Sequence, residues 1–242
     1  RAAYLLVSAA QRGGAARDWA STLVRMYRRW AAHRGYGIEL LGERLSLGAE
    51  GRAAVLRIDG PNAFGLLQGE TGTHRRIAGN PKTGAREVTS ARILVLPDPA
   101  RAEGRIEPDY RTQKADELWF LEESCGVVTI EALGKEWRIH TPLPRREAIE
   151  LGRDLARALL ECRASLGSSL GRIVRNVGLS KRRYAKDPRT GHQATDVAAV
   201  LDGKIDDFIL AALLELRSGA EEASADGPAS GDKAGRGAKR SG

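Results

Sequence analysis

GPNAFGLLQGETGTHRRIAGNPKTGAREVTSARILVLP, residues 60–97, is the stretch from which the fold is read. It opens on a Gly-Pro turn, and glycines at 65, 69 and 72 allow tight backbone and close approach of a second chain segment. His74, Arg75 and Arg76 then place hydrogen-bond donors and positive charge at the mouth of a loop. That loop, residues 77–88, carries Gly79, Pro81, Lys82, Gly84 and Arg86, and residues 91–96 read as a buried strand ending at Pro97. A strand, a glycine-rich turn and a basic loop suit contact with a phosphate backbone. An ordinary surface loop has the same composition.

On the N-terminal side, residues 4–8 form a short apolar run suited to a central strand. After the Gly13-Gly14 break, Trp19, Leu23, Met26, Tyr27 and Trp30 recur at helical spacing, which predicts a helix over 15–34 with that stripe in the core. Residues 36–41 and 52–58 are expected strands around a glycine-rich turn near Gly48 and Gly51. Together they predict one sheet with the Trp19 helix packed on it, an α+β arrangement.

On the C-terminal side, a polar segment at 98–104 marks a boundary. Residues 118–121, 127–133 and 136–140 are expected strands. Residues 147–164 form an expected helix with Ile149, Leu155, Leu159 and Leu160 inward. A basic run, Lys181, Arg182, Arg183 and Lys186, precedes a turn through Arg189 and Thr190, and a last helix is expected over 206–216. From residue 218 onward the aromatic-free Ala/Gly/Ser/Asp/Lys composition predicts a disordered basic tail.

Composition sets the class of partner. Thirty-nine Lys and Arg against 31 Asp and Glu give a net charge of +8 and favour a polyanion such as RNA. Cys125 and Cys162 have no metal-ligand or disulfide-framework spacing and are expected to be inert thiols in a reducing compartment. No apolar run reaches the roughly 18 residues of a membrane span. No small-molecule cofactor or metal is expected, and no feature sets an oligomeric state. The chain starts at Arg1 without an initiator Met, which fits a removed targeting peptide or an absent upstream domain.

GPNAFGLLQGETGTHRR resembles the GPxAYGxLxGExGxHR signature of bacterial-type class I peptide chain release factors. GGAARDWASTLVRMYRRWAAHRGY and the segment from Gly171 through VLDG at 200–203 are similar to further stretches of that family, in the type that reads UGA and UAA. The resemblance implies a codon-side domain over 1–104, a small catalytic-type domain over 105–165, a return segment over 166–217 completing the codon-side unit, and a tail over 218–242. It implies the ribosome (rRNA) or mRNA as partner. His74, Arg75, Arg76, Lys82, Arg86, Thr89, Ser90, Arg175, Lys181, Arg182, Arg183, Lys186, Arg189 and Thr190 are the expected contacts.

Two departures shape the expected function. After Asp109-Tyr110-Arg111 the family carries a Gly-Gly-Gln loop, whereas this chain reads TQKADELWFLEESCG and has its Gly-Gly pair at 13 and 14. Where the family shows a base-stacking histidine this chain has Val88, and losing such a ring removes about 1–3 kcal/mol per base. The expectation is a degenerate paralogue that binds ribosome or RNA, is not an enzyme, reads stop codons weakly or not at all, and acts in translation or mRNA stability in an organelle (chloroplast stroma or mitochondrial matrix), with a bacterial cytoplasm as the alternative location. The alternatives are an active release factor whose water is positioned by another group such as Gln113, and a structural subunit of an organellar ribosome.

Overall fold

The computed structural model describes residues 1–11, 13–42, 44–46, 53–79, 85–99, 107–113, 125–169, 171–180 and 182–225. Strand β1 (Ala3–Ala9) is buried along its whole length, as its apolar run requires of a strand covered on both faces. It pairs antiparallel with β4 (Ala53–Asp59) and with β6 (Arg86–Pro97). Strand β2 (Gly37–Gly42) lies outside β4, and β5 (Gly72–Gly79) outside β6. The sheet continues through β10 (Ile173–Gly178), which joins β5 in parallel, then β11 (Tyr184–Lys186) and β12 (Gln193–Ala194). The result is one eight-stranded sheet in the order β12-β11-β10-β5-β6-β1-β4-β2. Residues 173–194, which begin 94 positions after the end of β5, complete it.

The two faces of β1 divide the core. Ala3, Leu5 and Val7 face α1 (Gly14–His33), whose Trp19, Leu23, Met26, Tyr27 and Trp30 are fully buried with them. Each such side chain contributes about 1.5–3 kcal/mol relative to exposure. The same layer holds α2 (Ala63–Leu67), α5 (Val197–Leu201) and α6 (Asp206–Ala225) through Leu67, Val200, Phe208 and Ile209. Tyr4 and Leu6 point the other way, into a second cluster formed with a smaller sheet and α3 (Arg145–Glu161). That four-stranded sheet runs β3-β9-β8-β7: β3 (Arg44–Ser46), β9 (Lys135–Thr141), β8 (Cys125–Ala132) and β7 (Asp109–Gln113). A short helix α4 (Arg163–Ser169) leads back to β10. The α+β reading therefore stands, with the helical layer on one face and the small sheet with α3 on half of the other.

Several details differ from expectation. Residues 72–79 are a strand rather than the approach to a loop, and β3 leaves the large sheet to pair with β9. Leu160 is 49% exposed, and Leu151 takes the inward position instead. Helix α6 runs past residue 216 to Ala225, because AEEASA is helix-compatible and nothing breaks it. The expected strand at 118–121 and residues 226–242 lie outside the described residues. Among the described residues no helix is long and apolar enough to cross a membrane, and no cluster of three His, Cys, Asp or Glu is placed to hold a metal ion.

The junction of α5 and α6 depends on one glycine. Gly203 has φ +93°, and a Cβ there would lie 2.4 Å from the Trp30 backbone nitrogen and 2.9 Å from the Arg29 carbonyl carbon. Gly191 also has positive φ, at +75°, but faces open space. Gly203→Ala is expected to cost at least about 2 kcal/mol, since strain and overpacking add, and Gly191→Ala only the conformational part, about 1–2 kcal/mol. Urea midpoints of the two variants measure the difference.

Candidate nucleic-acid interface

The glycine-rich residues 60–74 serve as internal wiring. Asn62 adopts the left-handed conformation just before α2, and the Tyr36 hydroxyl donates to the Pro61 carbonyl at 2.7 Å. Gly72 has φ +142°, and a Cβ would meet Val174 Cγ2 at 2.6 Å and the Arg172 carbonyl at 2.7 Å, so β10 lies against β5 only because residue 72 is glycine. Between them Glu70, 1% exposed, ends a single 3-10 turn, residues Gln68–Glu70. Its carboxylate accepts two parallel bonds from Arg175, Nη1 to Oε2 at 2.9 Å and Nη2 to Oε1 at 2.8 Å, and a third from the Tyr27 hydroxyl at 2.6 Å. Arg175 is itself fully buried, with its guanidinium carbon 4.3 Å from the centre of the Phe208 ring. One carboxylate thus ties α1, the turn before β5, and β10 together, and the arginine it holds lies on a ring of α6.

The electrostatics follow from burial and pairing. Desolvation alone would raise the Glu70 pKa; Arg175 and the Tyr27 and Arg175 hydrogen bonds outweigh it and hold the carboxyl below its ordinary value. Burial pushes the Tyr27 hydroxyl well above its ordinary value, and the Glu70 charge pushes it further. His74 is also fully buried, and desolvation lowers its pKa to about 4. The geometry agrees. His74 Nε2 lies 3.0 Å from the Glu70 carbonyl oxygen, which can only accept, so Nε2 carries the hydrogen, while Nδ1 has no partner among the described residues. A second proton would be buried unpaired. The unfolded histidine, at about 6.5, binds that proton more readily than the folded one, so stability is full above about pH 6.5 and falls as pH drops towards 4. Glu70, with its depressed pKa, loses stability in the same direction on acidification. Thermal midpoints are expected to fall steadily between pH 6.5 and 4, and His74→Gln is expected to flatten that slope.

These placements correct three expected contacts. His74 and Arg175 are 0% exposed and Thr89 6%, all on the helix-facing side of the sheet, so none of them meets a ligand at the surface. Arg189 is pinned rather than presented: it donates to Asp187 at 3.0 and 2.7 Å and to the Gly69 carbonyl at 2.8 Å. The Thr190 hydroxyl accepts from the His192 amide at 3.2 Å and closes the same turn. Arg76 shares the helix-facing side and is half-buried. Lys82 and Lys181 lie outside the described residues; Arg182 and Arg183 are exposed just before β11.

The remaining expected residues fall together on the opposite face. Because side chains alternate along a strand and directly paired residues share a face, the registers place Arg86, Val88, Ser90 and Arg92 of β6 beside Thr73, Arg75 and Ile77 of β5. Asn176 of β10, Tyr184 and Lys186 of β11 and Gln193 of β12 continue the same rows. The second core cluster covers this face only at its Leu94 and Leu96 end. Arg86, Arg92, Lys186 and Gln193 are exposed, Val88 is 39% exposed, and Arg75, Ser90, Asn176 and Tyr184 are half-buried. No residue that these five strands direct to this face is acidic; Glu87 points to the helical side with its partner Ala78. Tyr184 lies against Gly178, where a Cβ would be 2.4 Å from the ring, so the aromatic ring can sit flat on the sheet. Cations, amides, hydroxyls and one ring on an open sheet can hold phosphate, base edges and a base face.

Arg92, Asn176, Tyr184 and Gln193 were not among the expected contacts. The signal for Arg92 was the two-residue alternation of REVTSAR, visible once that stretch is read as strand. The other three depend on the parallel pairing of β10 with β5, which no local pattern announces.

Comparison with known proteins places this architecture. The PCRF domain family matches residues 1–92. Peptide chain release factor 2 of Ruegeria sp. (strain TM1040) is 31% identical over 93% of this chain and 66% of the relative, and that of Chloroflexus aggregans is 33% identical over 88% and 65%. Peptide chain release factor PrfB1, chloroplastic, of Arabidopsis thaliana is 28% identical over 87% and 52%. The chain therefore spans about two thirds or less of the length of these curated relatives. RF2 of Thermus thermophilus superposes with a TM-score of 0.74 at 26% identity, covering 90% of this chain and 69% of the other. The expectation that the chain is not an enzyme is overturned by these relatives, whose shared name, peptide chain release factor 2, states an activity. By its matches in sequence and in fold, this chain belongs to the class I peptide chain release factors of the release factor 2 type.

Proposed function

We propose that this chain acts on the ribosome in translation as a peptide chain release factor, with the open face of its large sheet turned to RNA. The observation that carries the reading is the acid-free row of Arg75, Arg86, Arg92 and Lys186 on a release-factor fold. Four cations without a competing carboxylate attract a phosphate backbone, and the rigid sheet fixes their spacing. The Glu70–Arg175 pair serves this site indirectly by holding β5 and β10 in register.

Release is hydrolysis of the ester that joins a nascent peptide to its tRNA. Water adds to the ester carbonyl, the bond to the tRNA oxygen breaks, and that oxygen takes a proton. The protein must place the water and stabilise the negative oxygen that develops. We assign this work to the segment joining β7 to β8, residues 114–124, which lie outside the described residues; Gln113, in register with Cys125, stands at its entrance. Gln113→Ala is expected to slow release by about 10²-fold, the lower end of the range for loss of one catalytic polar group, as read in a single-turnover release assay.

Co-sedimentation with ribosomes across a salt series tests the RNA-facing surface. Four phosphate contacts predict a log–log slope of about −3. A slope near zero, or no co-sedimentation at low salt, contradicts it.

A further inference from the structure

Helix α1 buries one side against the sheet, and its solvent side carries a second concentration of positive charge. Arg17, Ser21, Arg25 and Arg28 follow one another at intervals of four, four and three residues, which lines them up on one side of the helix over about 16 Å. All four side chains are exposed. Arg25 donates to the Thr22 hydroxyl at 3.3 Å, and neither Arg17 nor Arg28 has an ion-pair partner among the described residues. The arginines beyond them are neutralised, Arg29 by Asp202 and Arg34 by Asp206. Asp18 is the one acid of α1, and Glu39 of β2 points to the opposite face of the sheet.

This row is unfavourable to the helix that bears it. Arg17 stands at the end of the first turn, its amide donating to the Gly13 carbonyl at 3.4 Å, where the helix dipole favours an acid. The first turn holds no acid, and Gly13 supplies no side-chain cap. Arg25 and Arg28, three residues apart, repel each other. Cations held against the local preference mark a binding role rather than a face chosen for stability. The chemistry of the row selects the ligand. Guanidiniums and hydroxyls bond phosphate oxygens, and the row has no amide or aromatic ring with which to read or stack a base. Helix α1 exposes no large apolar side chain, so a protein partner finds no anchor on it. We infer that the outer side of α1 is a docking surface for the backbone of base-paired RNA, which presents phosphates and 2′-hydroxyls while enclosing its bases. A duplex carries roughly one phosphate charge per 2 Å of axis, so a rigid row of this length finds partners whatever the sequence. This surface goes beyond the open sheet face, which lies across the large sheet and bears amides and a ring.

The test uses the full chain and a fluorescein-labelled RNA hairpin of about 16 base pairs, read by anisotropy. The hairpin is expected to bind. The Arg17→Glu, Arg28→Glu double variant is expected to weaken it by about tenfold or more and to reduce its log–log salt slope by about 2. Arg146→Glu with Arg163→Glu, the same change of net charge placed on α3 and α4, is expected to leave it within about threefold. The thermal midpoint of the α1 variant is expected to stay level or rise, because Arg17→Glu puts an acid near the helix start. If it falls, Arg17→Gln with Arg28→Gln carries the test, with a loss of about threefold or more expected. Absence of hairpin binding, an equal loss in the α3/α4 variant, or indifference to the Arg17/Arg28 changes overturns the inference. Hairpin binding lost on Arg92→Glu with Lys186→Glu but not on the α1 variant overturns it in favour of the open sheet face. A labelled octaglutamate peptide that binds and is released by the Arg17/Arg28 reversal, with hairpin binding unchanged, overturns it in favour of an acidic protein partner.

Discussion

Arg175→Ala is expected to destabilise the fold by about 3–5 kcal/mol, the range for removing one partner of a buried ion pair. The reason is less the lost attraction than the charge left behind: Glu70 would remain 1% exposed, with only the Tyr27 hydroxyl to solvate it. At about 2–4 °C per kcal/mol for a chain of this size, the thermal midpoint should fall by roughly 10 °C. Tyr27→Phe removes one hydrogen bond and leaves the bidentate pair, so about 1–2 kcal/mol is expected. Replacing both partners with apolar residues, Glu70→Leu with Arg175→Met, should recover much of the loss, because no charge is then buried unpaired. Equal destabilisation by Arg175→Ala and Tyr27→Phe would show that the carboxylate is not the tie between β5, β10 and α1.

The second large effect concerns binding. Arg92→Glu with Lys186→Glu introduces two carboxylates onto a sheet face that carries none. Two phosphate contacts are lost and two repulsions gained, so ribosome affinity is expected to fall by about 10²-fold at low salt, and the salt slope to shrink by about 1.5. Both side chains are exposed, so stability should change by less than about 0.5 kcal/mol. Reversing Arg29, whose partner is Asp202 at 2.5 Å on the helical side, should leave affinity unchanged. If Arg29→Glu weakened ribosome binding as much as the pair does, general charge rather than the sheet face would account for the attraction.

The parts of this fold that were legible in the sequence are those whose pattern is local. Helix α1 announced itself through Trp19, Leu23, Met26, Tyr27 and Trp30, and β1 through an unbroken apolar run, because one-sided and two-sided burial leave different periodicities. Strand β5 left no such trace. GTHRRIAG looks like loop because its inward residue is a histidine whose burial is made tolerable by the Glu70 carbonyl, a partner supplied by the preceding turn. Arg175 misleads for the same reason over a longer distance. Read alone in IVRNVG, it is a cation near RNA; in the fold its guanidinium is consumed by a glutamate 105 residues earlier. The glycine-rich signature likewise drew attention as a contact surface, whereas Gly72 and Gly69 are there because Val174 and Ala212 pack against them. The interface itself emerged only when β10 was placed beside β5, which set Asn176 next to Arg75 and Lys186 next to Asn176.

Peptide release from ribosomes stalled at a UGA or UAA codon tests the central claim most directly. With the full chain added at saturating concentration, release of the nascent peptide above the factor-free rate is the predicted result. Ribosome binding at the same concentration without any release above that rate would contradict the account.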